Sequence, residues 1–174
     1  MRLEIRGAWL WDGRRHIAGP ARVVVGNGRV ERVGGAPADG AQALEFEGAT
    51  VLPGLVDMHT HLGIDHAAGD IRAQMAHPPV RHILAGARSL QEDLHAGVTT
   101  AKLNGDRDFY DVQMREAVRE GRAQGPRLLV AGKGIKASRC TGGVAATCVA
   151  DGPEAVRRGA EENLRAGADW VKLF

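Results

Sequence analysis

Charged and apolar residues alternate over Leu3–Leu10, and β-branched side chains gather at Val23, Val24 and Val25, a period of two that predicts strands. Gly26-Asn27-Gly28 separates the valine run from Val30-Glu31-Arg32-Val33. Asn-Gly between two such runs is the strongest short-range signal of a hairpin, because both central residues of its turn need positive φ. A further β-like run, Ala43 to Leu52, leads into Pro53-Gly54, a turn dipeptide where the pattern changes. We place a boundary there, with residues 1–53 forming a small N-terminal β-sandwich segment.

Beyond Leu55 the pattern alternates between strand and helix. Val80, Ile83, Leu84, Ala87, Leu90 and Leu94 recur at the spacing of one helical face, and Gly97 stands just past the end. Val98–Leu103 then reads as a strand. Tyr110, Met114, Ala117, Val118 and Gly121 mark a second helix, followed by Gly125-Pro126 and a strand over Arg127–Ala131. A third helix opens at Asp151-Gly152-Pro153-Glu154, with proline and an acid in its first turn, and closes at Gly167. It leads to a strand over Trp170–Phe174.

Strand-helix alternation is the mark of a parallel sheet with crossover helices, so the expected class is α/β. Leu55–His61, Val98–Leu103, Arg127–Ala131 and Trp170–Phe174 supply the first four strands of a TIM-type (β/α)₈ barrel over residues 54–174. A complete barrel needs about 250 residues, and the chain has 174. Four strands cannot close a barrel, and both edges would present unpaired backbone groups. The reading is therefore an incomplete barrel, a truncated piece of a longer chain. A homo-oligomer or a completing partner chain is the alternative, and with it a non-catalytic half-barrel.

Composition narrows the partners. Twenty-three basic residues face 21 acidic ones for a net charge of +2, and the basic residues are scattered among acids. Nucleic acid is not expected, because its readers cluster their basic residues. No run has signal-peptide or bilayer-spanning character, so a cytoplasmic protein with a small-molecule substrate is expected. Cys140 and Cys148 are read as free thiols, since a structural zinc site takes four ligands and disulfides belong to exported chains.

The chemistry concentrates in Pro53-Gly54-Leu55-Val56-Asp57-Met58-His59-Thr60-His61. Side chains two apart on a strand point to one side, so His59 and His61 can reach one ion at the carboxyl end of the strand, where barrels of this kind keep their active sites. Imidazole suits zinc, iron, nickel and copper alike. Lys172, between Val171 and Leu173, would be a buried ammonium, which is costly without a partner. Lys102 and Lys133 are its rivals near the ends of the second and third strands. Asp65 and His66 follow the first strand and could line the pocket mouth. His66, His77, His82 and His95 are weaker candidates, and the last two, within a helix, are read as solvated or capping residues. The glycines at Gly132, Gly134, Gly142 and Gly143 lack the strand-turn-helix context of a nucleotide fingerprint.

With these residues in place, the chain resembles the amidohydrolase superfamily, whose members have Pro-Gly-Leu-x-Asp-x-His-x-His after an N-terminal β-sandwich. The resemblance runs to Gly167-Ala168-Asp169-Trp170-Val171-Lys172 and is greatest for the imidazolonepropionase-like and prolidase-like branch. It implies hydrolysis of carbon–nitrogen bonds other than ordinary peptide bonds. It also implies two divalent ions, zinc above all, held by His59, His61 and a carboxylated Lys172. In that branch a loop is often rich in Gly-Gly-His; here it reads Cys140-Thr141-Gly142-Gly143-Val144-Ala145-Ala146-Thr147-Cys148. Two further histidines and the catalytic aspartate are expected beyond Phe174, so the chain alone is expected to be inactive. A mononuclear deaminase, which needs no carboxylated lysine, is the runner-up.

Overall fold

The computed structural model describes residues 1–65, 68–141 and 146–174, and the chain divides into two compact units, Met1–Pro53 and Gly54–Phe174. His66, Gly142 and Gly143 lie outside the described residues.

The first unit is a five-stranded sheet. Strand β1 (Arg2–Trp11) pairs antiparallel with β2 (His16–Ile17) and β3 (Ala21–Gly26), β3 pairs with β4 (Arg29–Val33), and β5 (Gln42–Val51) runs parallel to β1. The β3–β4 hairpin turns at Asn27 and Gly28, with φ of 51° and 71°. Both values are positive, as a tight hairpin turn demands. Leu10, Ala21 and Val23 form a small core with Ile5, Ile17, Val25 and Val51 packed on it. Glu4, fully buried, bonds to Arg6 and accepts from the Ala38 amide. The Arg6 hydrogen bond leads in holding its carboxyl below the ordinary range.

In the second unit, β6 (Leu55–Thr60), β7 (Val98–Leu103) and β8 (Arg127–Leu129) form a parallel sheet in sequence order. Helices α1 (Ile71–Met75) and α2 (Pro79–His95) lie between β6 and β7, α3 (Tyr110–Arg119) lies between β7 and β8, and α4 (Pro153–Arg165) comes last. Ala101 partners Leu128 across the sheet, both are buried, and with Leu103 and Val130 they pack against Leu90, Val112 and Met114. Full burial of each such aliphatic side chain contributes about 1.5–3 kcal/mol. Across the pleat, Val56 pairs with Thr100 and Lys102 with Leu129, and this second face is open: Val56 is 56% and Met58 57% exposed.

Several expectations change. The segment expected as a fourth strand, Trp170–Phe174, makes one isolated parallel bridge, Leu173 with Ile135, and no strand of its own. Its bonds go to Ile135 on one side, through Ile135 N to Lys172 O at 2.9 Å and Phe174 N to Ile135 O at 2.9 Å. Bonds to one residue make a bridge and no ladder. Ile135 belongs to an unforeseen short strand, β9 (Gly134–Lys136), parallel to β10 (Ala146–Val149). On α2, Val80, Leu84 and Leu94 are exposed, whereas His82, Gly86 and Leu90 are buried. Leu62 reaches into the helix at Gly86 and turns the buried stripe toward that side. Among the described residues no helix is long and apolar enough to cross a membrane. Neither Cys140 nor Cys148 is in a disulfide.

Candidate metal centre

His59 ends β6 together with Thr60, and His61 is the first residue of the loop beyond it. The two imidazoles are neighbours, ring centroids 5.7 Å apart and planes inclined by 57°. The local backbone is shaped by Asp57, whose carboxylate accepts from the His59 amide at 2.8 Å. The β6–β7 register is irregular between Asp57 and Thr60.

His61 is half-buried, and its Nδ1 lies 3.3 Å from the Gly105 carbonyl oxygen. A carbonyl can only accept, so Nδ1 carries the proton and Nε2 keeps its lone pair, the arrangement that metal-binding histidines use. Burial pushes the His61 pKa down; the charges of His59 and Lys172 act the same way, against the Gly105 carbonyl and Asp106. The neutral ring is thereby favoured, and Lys172 lies within electrostatic reach of His61.

Lys172 is half-buried, and its ammonium sits over the Phe174 ring, 4.8 Å from the centroid. The expectation of a buried, unpartnered ammonium is corrected: the side chain is only half-buried and has the Phe174 ring beneath it. The rival lysines are engaged elsewhere. Lys102 rests on the Trp170 ring at 3.6 Å, and Lys133 pairs with Glu162 at 2.8 Å. Among the described residues no three His, Cys, Asp or Glu side chains gather into a metal cluster.

A cleft of about 260 Å³ beside His61 is lined by Asp57, Asp65, Glu92 and Asp93. Desolvation, helped by the charges of Asp57 and Glu92, raises the Asp93 pKa. His77 is half-buried, its carbonyl accepting from Arg107, and His95 is exposed in the last turn of α2.

His82, expected to be solvated or capping, is fully buried, its Nε2 3.0 Å from each oxygen of Asp106. Sequence reasoning missed this pair because His82 is flanked by Arg81 on a helix with a polar face and Asp106 is 24 residues away. His82, Gly86 and Leu90 are four apart and share a face, but that stripe is one of several on the helix and nothing local marks it as the buried one.

Residues 50–174 match the sequence profile of the amidohydrolase family. The chain belongs to the amidohydrolase family. Two dihydroorotases are similar in sequence: that of Syntrophus aciditrophicus (strain SB), 36% identical over 66 residues, and that of Trichlorobacter lovleyi, 41% identical over 64 residues. Each alignment covers 36% of this amidohydrolase and 15% of the relative. A prolidase crystallised with N-methylphosphonate-L-proline superposes with a TM-score of 0.83 at 25% identity, over 99% of this chain and 46% of the prolidase. The amidohydrolase chain thus spans less than half the length of these relatives, and its second unit is a partial TIM-barrel-like α/β domain.

Proposed function

We propose that this chain carries the metal-binding half of a hydrolase active site that acts on carbon–nitrogen bonds of a small molecule, an amide or cyclic amide. In this reading the second unit, with its three parallel strands, contributes the opening part of a TIM-type barrel, and the first unit is the N-terminal β-sandwich segment. The observation that carries the proposal is the adjacency of His59 and His61, with Nδ1 of His61 committed to Gly105.

The donor chemistry fits a divalent ion, zinc foremost. His59 and His61 would offer neutral nitrogen donors, and Lys172 would join them as an oxygen donor once CO₂ has converted its amine to a carbamate. In this reading the site would hold two such ions. A bound ion would supply Lewis acidity toward a scissile carbonyl and toward water. The chain's own part is to hold His61 neutral by burial and to orient its ring by the Gly105 carbonyl. The prolidase likeness favours a dipeptide with a proline nitrogen, and the dihydroorotase likeness a cyclic amide.

Calorimetric titration with zinc tests the site. His59→Ala and His61→Ala should each weaken binding by at least about tenfold, the loss of one good ligand interaction. Unchanged affinity in both would remove the metal reading. In a protein containing the whole barrel, an anomalous-scattering map with one ion and an unmodified Lys172 would favour a mononuclear deaminase.

A further inference from the structure

His82 and Asp106 form a pair that a solvated helix face would not produce. Both side chains are almost completely sealed, His82 at 0% and Asp106 at 1% exposure. Nε2 of His82 meets both carboxylate oxygens at 3.0 Å. Nδ1 of His82 is buried and has no hydrogen-bond partner among the described residues. Burying a carboxylate and an imidazole costs several kcal/mol unless each is bonded, and the leading alternative at such positions is a plain apolar contact. The pair therefore needs a reason that packing does not supply.

Its surroundings provide one. Asp106 immediately follows Gly105, whose carbonyl receives Nδ1 of His61. The Asp106 amide donates to the Gly132 carbonyl at 2.8 Å, and its carboxylate accepts from the Arg107 amide at 2.8 Å. Residue 105 is thus held between fixed points. The same imidazole packs against the loop that carries His61: a Cβ placed at Gly63 would stand 3.3 Å from His82 Nδ1 and 2.9 Å from the His82 carbonyl oxygen. One side chain of α2 therefore braces the loop after β6 by contact and the loop after β7 by a charged hydrogen bond.

We infer that His82 and Asp106 are positioning residues for His61: through the Gly105 carbonyl they fix which nitrogen of His61 carries the proton and where Nε2 points. The inference rests on the reading of His61 as a metal donor. Neither residue touches the ion; their effect passes through the 105–106 peptide and the Gly63 contact. Partners that orient a metal-binding histidine in this way typically change metal affinity by about 10- to 100-fold when removed.

The test separates the inference from the reading beneath it. Long-range ¹H–¹⁵N correlation spectra of the imidazoles, recorded without metal, report the His61 tautomer directly. Wild type should show His61 protonated at Nδ1, and Asp106→Asn and His82→Gln should each give a mixture of tautomers. Zinc titration of the same variants should show a loss of about 10- to 100-fold. Val112→Ala, a core change in α3, should be destabilised yet keep the wild-type tautomer and zinc affinity, which excludes general loosening as the cause. If Asp106→Asn is folded and retains both tautomer and affinity, the inference is overturned while the His61 reading stands. If His61→Ala binds zinc as wild type does, the metal reading falls, and the tautomer spectra alone decide whether Asp106 orients the ring. Should His82→Gln fail to fold, Asp106→Asn carries the test unaided.

Discussion

A carboxylate with no solvent exposure must be offset by hydrogen bonds, and Asp111 receives three from backbone amides: Val112 at 2.8 Å, Ala131 at 3.1 Å and Gly132 at 2.8 Å. Desolvation nevertheless dominates and raises its pKa, with the nearby Asp106 charge adding to it. Between the unfolded and folded pKa values the native state binds more protons, so this group's contribution to stability falls as pH rises through that window. Asp111→Asn removes the titration and turns an amide group toward donors, at a cost of about 1–3 kcal/mol. The difference in urea midpoint between wild type and variant should therefore be smaller at pH 7 than at pH 4. An equal or larger difference at pH 7 would contradict the burial argument. His59 and His61 were legible in the sequence because their meaning lies in a spacing of two, while Asp111 and the His82–Asp106 pair were not, because their partners come from other elements. Lys172 was legible as a position and misread as an environment: nothing local told that its segment would make one bridge and no strand.

At the level of elements, α2 is tuned by a missing side chain. Alanine in place of glycine inside a helix ordinarily stabilises by about 0.5–1 kcal/mol. At Gly86 a Cβ would stand 2.6 Å from Leu62 side-chain atoms, and overpacking of this kind costs about 1–3 kcal/mol. The clash outweighs the propensity. Gly86→Ala should lose about 1–2 kcal/mol, read as a lowered midpoint in thermal unfolding; a raised midpoint would show that Leu62 can move aside. The strands and the Asn27-Gly28 hairpin were readable because short-range pattern and turn chemistry decide them. Val98–Leu103 occupies the span expected for it. The Trp170–Phe174 segment was not readable in the same way, since a strand is made by its neighbours as much as by its composition. The phase of α2 was likewise hidden, because Leu62 selects among several apolar stripes.

Across the whole molecule, the three-stranded sheet of the second unit has one face packed by helices and one bare. Val56, Met58 and Leu129 are exposed there at 56%, 57% and 37%. Contiguous exposed apolar surface of this kind takes up dyes and partners. The protein should enhance the fluorescence of an apolar dye such as ANS, and joint Val56→Lys and Met58→Lys substitution should lower that enhancement at unchanged circular dichroism. Undiminished enhancement would place the dye elsewhere. The first unit raises a different matter, that of time. Leu3 pairs with Gln42 in parallel register, and every β1–β5 pair spans a comparable stretch of chain. Closing such loops precedes the contacts that reward it, so non-local pairing slows folding. On a ribosome, the strand made first must wait for the strand made last: β1 can find β3 early, but its other edge stays open until residues 42–51 have emerged. The first unit can therefore begin its sheet early but complete it only late, once β5 has emerged.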